Sequence, residues 1–156
     1  MTADTVDVGY HATALAEGIE AALPGWVERS VASIMTTWAG AVPPAVAEQA
    51  RVAGRHAAAE VGPQVRALLE ADIDDQRTTP LAIVRQAAVR YPTDVLVEAD
   101  VPAVVRDEGA EELFPVDRYD LVPASFADLD PALADAGLRW GAAKAFEHKR
   151  RHGGGQ

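Results

Sequence analysis

Residues 76–130, QRTTPLAIVRQAAVRYPTDVLVEADVPAVVRDEGAEELFPVDRYDLVPASFADLD, decide what kind of fold this chain adopts. Thr79-Pro80 offers a cap followed by a proline in the first helical turn, where the missing N–H is no loss. Leu81, Val84, Ala88 and Tyr91 then recur at spacings of three and four, which predicts an amphipathic helix that Pro92 stops. The rest of the stretch is acidic and broken by prolines, yet too apolar for a linker, so it must lie over something. Thr93-Asp94 can cap a short element, Val95 to Ala99, whose β-branched composition would suit a strand. A strand needs a partner and none is evident elsewhere, so we read it as helical. A helix over 103–113 would turn Val105 and Leu113 inward and its acids outward. Asp117 to Asp120 is expected to form a single turn, and Ser125-Phe126-Ala127-Asp128 resembles a capping box with Asp in place of Glu.

Upstream of this stretch, Val8, Ala12, Leu15, Ile19 and Leu23 mark one helical face that Pro24-Gly25 is expected to end. Val27, Val31, Ile34 and Trp38 mark a second, closed by Ala39-Gly40. Two such helices would pack as an antiparallel hairpin. Pro43-Pro44 opens a third helix with the small-residue face Val46, Ala50, Ala53, Ala57 and Val61, and Gly62-Pro63 kinks or divides it. Val65, Leu68, Leu69 and Ile73 continue the pattern into the polar run 72–77. Downstream, Asp130-Pro131 starts a last helix carrying Leu133, Leu138, Trp140 and Phe146. The expected architecture is one all-α domain over residues 1–148: a helical bundle with an irregular, proline-punctuated acidic segment packed across it. Residues 1–7 are expected to fray, and 149–156 to form a disordered basic, glycine-rich tail.

At 156 residues, folding buries roughly 70% of the surface of the unfolded chain, enough for a core. Hydrophobic residues make up 49% but aromatics only 6%, so the core should be thin and built by close approach of backbones. The absence of cysteine removes disulfides, thiolate metal sites and cysteine nucleophiles. No run of eighteen apolar residues occurs, and the N-terminus has acids where a signal peptide needs basic residues. The expected location is the cytoplasm, with no membrane association.

The net charge of −10 is unevenly spread. Residues 76–91 hold three arginines and no acid; residues 92–138 hold twelve acids against Arg106 and Arg118; residues 139–156 hold five cations against Glu147. The basic tail could touch nucleic acid, but the acidic body would repel a phosphate backbone within a Debye length of about 8 Å. Direct nucleic-acid binding is therefore the lesser reading, and cations near a helix C-terminus explain the tail more simply.

Catalytic and metal templates fail one after another. His11, His56, His148 and His152 are scattered and form no Glu-x-x-His pair, so no metal or other cofactor is expected. Counted as a calcium loop from Asp72, the positions that need Gly and Glu hold Arg77 and Ile83. Ser30, Ser33 and Ser125 sit on no nucleophile turn, and no glycine-rich phosphate loop precedes a helix. What remains as a candidate ligand or partner site is Arg85, Arg90, Tyr91, Arg106, Asp107, Tyr119 and Trp140. Arginine forks suit carboxylates and phosphates. The plainer account is internal: the acidic segment wraps the basic helix and neutralises it.

At TTPLAIVRQAAVRYPTDVL (78–96), VVRDEGAEELFPVDRYDLVPASFADLD (104–130) and GLRWGAAKAFEHKRR (137–151), the chain resembles a group of small actinobacterial proteins described only as hypothetical. The resemblance implies a cytoplasmic bacterial setting and carries no activity and no site residues. The leading functional expectation is a non-catalytic interaction or regulatory protein that presents an acidic face to a basic protein partner. The alternatives are an enzyme or small-ligand binder that holds an anionic metabolite through the Arg/Tyr/Trp cluster, and a nucleic-acid accessory factor acting through the tail.

Overall fold

A computed structural model describes residues 8–71, 79–113 and 129–152. Among these residues there are five helices and no strand: α1 Val8–Ala39, α2 Pro44–Ala71, α3 Thr79–Glu98, α4 Ala103–Leu113 and α5 Leu133–His152. The all-α bundle expected from the apolar spacing is the fold observed. The expected turn at 117–120, the capping box at Ser125, the polar run 72–77 and both chain ends lie outside the described residues.

The expected hairpin of two short helices is replaced by a single helix, because α1 runs through Pro24 without ending. Its inward stripe, Ala12, Leu15, Ile19, Leu23, Val27 and Val31, is fully buried over its whole length. That continuous burial outweighs the one hydrogen bond a proline removes. Trp38, expected on the same buried face, is 43% exposed, since it lies in the last turn beyond the reach of the core. Gly40 ends α1 at φ 80° and donates to Thr36 O at 2.9 Å, the left-handed terminus that glycine takes without strain.

α2 returns antiparallel to α1, and the small-residue face read from the sequence lets the two backbones meet. A Cβ on Gly54 would lie 2.8 Å from Pro24 Cα, so α2 crosses directly over the proline of α1. α2 also runs through its own Pro63. α3 continues through Pro92, where the sequence predicts a stop, and takes in Val95 to Glu98, which the sequence suggests as a separate short element. A proline at 92 leaves the carbonyl of Ala88 without its helical donor. The buried indole of Trp26 on α1 fills that gap: its Nε1–H donates to Ala88 O at 2.7 Å. One residue on, Thr93 Oγ1 donates to Val89 O at 2.7 Å.

The α3–α4 corner is fixed by a Schellman motif. Val101 N donates to Leu96 O and Asp100 N to Val97 O, both at 3.1 Å, with Asp100 at φ 61°. Val101 and Leu96 are both buried, which supplies the apolar contact that accompanies this motif. α4 covers the far end of α1, where a Cβ on Gly109 would meet Ile34 Cγ1 at 2.5 Å. α5 begins after Asp130, whose Oδ1 accepts from Ala132 N at 3.0 Å, and packs on α1 with Leu133 seated over Gly18. It continues to His152, so the basic run begins on a helix. The core has two parts along α1, one around Leu15, Ile19, Leu23 and Trp26, the other around Val31, Ile34 and Met35.

Two measurements test this account. Gly54→Ala gains about 0.5–1 kcal/mol of helix propensity but forces a methyl onto backbone, at about 1–3 kcal/mol, so the urea midpoint should fall. A rise would show that α1 and α2 do not meet there. Trp26→Phe leaves the Ala88 carbonyl unsatisfied and should cost about 1–3 kcal/mol beyond the lost ring area. In a Pro92→Ala background the restored N–H replaces the indole, so the same substitution costs less in a double-mutant cycle; equal costs in both backgrounds would refute the pairing.

Candidate functional site

The cationic stretch of the sequence lies on α3, where it borders a cleft of about 830 Å³ between α2 and α3. Val61 and Ala87 form a buried floor, with Ile83 and Val89 half-buried beside them. The rim is polar: Gln64 and Glu60 come from α2, and Arg85, Gln86 and Arg90 from α3. Small or β-branched side chains thus line the floor and long ones the rim.

At one end, Glu60 joins the two helices. The Tyr91 hydroxyl donates to Glu60 Oε2, and Arg90 Nη2 lies 3.6 Å from Glu60 Oε1. The Arg90 guanidinium carbon stands 4.7 Å from the Tyr91 ring centroid, a cation–π distance. The Tyr91 hydroxyl bond holds the Glu60 carboxyl below the usual carboxylate range, helped by the positive charge of Arg90. Burial, followed by the bond to Glu60, pushes the Tyr91 phenol up. Both directions place the shared proton on the phenol, so Tyr91 is the donor at neutral pH.

The remaining candidates from the sequence lie elsewhere. Arg106 donates from Nε to Val101 O at 3.1 Å, closing the α3–α4 corner, and Asp107 is exposed on α4. Trp140 is 1% exposed inside the core and donates from Nε1 to Leu69 O at 3.0 Å, serving one of the last carbonyls of α2. Lys144 Nζ sits 4.9 Å from its ring centroid. Tyr119 lies outside the described residues. The structure thus brings Arg85, Arg90 and Tyr91 together and separates them from Arg106, Asp107 and Trp140. Glu60 and Gln64, which complete the cleft, lay too far away in sequence to be grouped with α3, and nothing in their spacing marks them.

The acids of the charged stretch have a distinct arrangement. Asp94, Glu98, Asp100, Asp107, Glu108 and Glu111 are all exposed, and none forms an ion pair with another described residue. Arg90 takes its carboxylate from α2, with Asp94 adding attraction from one turn away. The cations of α5 are partly matched on their own helix, with Arg139 2.8 Å from Asp135 and Arg150 Nε 3.0 Å from Glu147 Oε2.

No metal-binding group of three or more His, Asp or Glu side chains occurs among the described residues, and no described helix is long and apolar enough to cross a membrane. Comparison with protein-family models, curated proteins and solved structures found no match to this chain.

The Glu60–Tyr91 bond predicts a titration. Because the folded carboxyl is depressed, its contribution to stability is present above the usual carboxylate pKa and is lost as pH falls through the folded value. By carbon-detected NMR, Glu60 should titrate below the ordinary glutamate value, and Tyr91→Phe should move its midpoint upward. The stability gap between the wild type and Tyr91→Phe should narrow below about pH 4. An unmoved midpoint would show that the hydroxyl does not govern Glu60.

Proposed function

We propose that this is a non-catalytic interaction or regulatory protein, working in the cytoplasm, whose α3–α4 corner presents an acidic face to a protein partner with a basic surface. The observation that carries this reading is the set of six exposed carboxylates on 94–111 with no ion pair to another described residue. Carboxylates needed for internal neutralisation would be matched to arginines, as Glu60 is to Arg90 and Glu20 to Arg66.

The helical register sharpens the expected partner. Val104, Asp107, Glu108 and Glu111 follow the i, i+3, i+4, i+7 spacing of one helical face, and Asp94, Val97 and Glu98 share a face at the end of α3. Val97 and Val104 are 50% and 62% exposed. Each acidic face therefore carries one apolar contact, which suits a basic, amphipathic partner segment better than a phosphate polymer. Acids arranged in this way speed encounter and set the choice of partner more than they add affinity. The acidic body and the partly matched α5 cations also weigh against nucleic acid.

A fluorescent Lys/Leu amphipathic helical peptide serves as the probe. It should bind in low salt and weaken steeply as salt is raised. Asp107→Lys with Glu111→Lys should weaken binding at least tenfold. Glu17→Lys with Glu28→Lys makes the same change in net charge on exposed positions of α1 and should have a far smaller effect. Equal losses in the two pairs would reduce the effect to overall charge and overturn the corner as the docking face.

A further inference from the structure

We infer that the outer face of α5 docks on the α3–α4 corner of a second copy of this chain. The inference rests on the acidic-face reading above and names the partner of that face. α5 turns Leu133, Gly137, Trp140 and Ala143 inward, and all four are buried. Its opposite side carries Leu138, Ala142, Ala145, Phe146 and Lys149, all exposed, at the i, i+4, i+7, i+8, i+11 spacing of one helical face. Leu138 and Phe146 are 55% and 43% exposed. An apolar stripe among cations, on a helix whose inner side is already filled, has the form of a basic amphipathic docking segment.

Charge decides what covers this stripe. Lys149 forms no ion pair with another described residue. The ion pairs of Arg139 and Arg150 are with acids of their own helix, Asp135 and Glu147, and leave the two arginine side chains 65% and 63% exposed. Exposed pairs of this kind are weak enough to re-form with an incoming carboxylate. The complementary surface is the α3–α4 corner, where exposed acids surround Val97 and Val104, so each side offers two large apolar contacts.

The corner that meets α5 belongs to another copy. α5 starts with Leu133 over Gly18 of α1, and its Trp140 reaches Leu69 near the end of α2, beyond the point where Gly62 faces Glu20. It therefore runs toward the start of α1, whereas α4 covers the other end at Ile34. From Gly18 to Ile34 is about 24 Å of helix at 1.5 Å per residue, and α5 leads away from the corner. Each copy thus both gives α5 and receives it. One helix seated on a two-helix corner falls at the small end of specific interfaces, so association is weak and concentration-dependent.

Sedimentation velocity on the full chain, from micromolar to millimolar concentration, reads this contact. The wild type should shift from one copy toward larger species. Leu138→Ser with Phe146→Ser changes no charge and should weaken association at least tenfold. Arg139→Glu with Lys149→Glu reverses the α5 face, and Asp107→Lys with Glu111→Lys reverses the corner; each of these variants alone should sediment as one copy. All six positions are exposed, so the helical circular dichroism should match the wild type. Mixed one to one, the two reversed variants should associate again, because native α5 then meets a native corner and glutamates meet lysines. The Lys/Leu peptide should compete and return the wild type to one copy. A wild type that stays one copy while the peptide binds it overturns this inference and leaves the acidic-face reading standing. Failure of the mixture to recover overturns it too, and a peptide that does not bind the wild type sinks both.

Discussion

The architecture rests on how this chain carries prolines inside buried helices. Three of the five described helices contain one, Pro24, Pro63 and Pro92, and each removes a donor that a carbonyl four residues earlier would have used. At Pro63 that carbonyl belongs to Ala59, an exposed residue that water can reach. At Pro92 it belongs to Ala88, which is buried, and an unmet acceptor there would be costly. Trp26 resolves this from another helix, fixing the rotation of α3 against α1. That rotation decides which side of α3 faces the core and leaves Arg85 and Arg90 over the cleft. At Pro24 the neighbouring element is α2, whose Gly54 comes directly against the Pro24 backbone.

This is also why the sequence was legible only in part. The stripes Val8 to Leu23, Val27 to Ile34 and Val46 to Val61 name the buried faces correctly, because burial periodicity is a local property. Helix 103–113 could be bounded because Pro102 and the acidic run delimit it. Pro24-Gly25 and Pro92 look like stops in the sequence and are not, because whether a proline ends a helix depends on donors and packing supplied by residues far away in sequence. The indole of Trp26, 62 positions before Ala88, is such a donor. Likewise, Arg85, Arg90 and Tyr91 could be grouped from α3 alone, but the Glu60 that organises two of them sits on α2. Trp140 looked like a recognition aromatic only because sequence does not show which tryptophans have a carbonyl to serve in the interior.

The two tryptophans buried in the core do related work. Trp26 and Trp140 each place a ring in the thin, alanine-rich core and each send an N–H to a carbonyl that helix geometry left over. In a chain so short of aromatics, these two joints tie α3 to α1 and α5 to the end of α2. The close approaches at Gly18, Gly54 and Gly109 do the rest, admitting the Leu133 side chain, the backbone at Pro24 and the Ile34 side chain respectively.

Charge placement on α3 and α4 runs against helix stability, and this bears on what the acids are for. A helix is stabilised by acids in its first turn and by cations in its last, where they oppose the macrodipole. Neither α3 nor α4 has an acid in its first turn or a cation in its last. Glu98 instead closes α3, Asp100 follows it, and Glu111 lies in the last turn of α4. Asp100 also occupies a left-handed position that glycine would take with less strain. Selection for stability alone would place these carboxylates elsewhere or match them with arginines, of which the chain has twelve. Their concentration at the α3–α4 corner, beside the Schellman motif, is therefore not accounted for by helix stability.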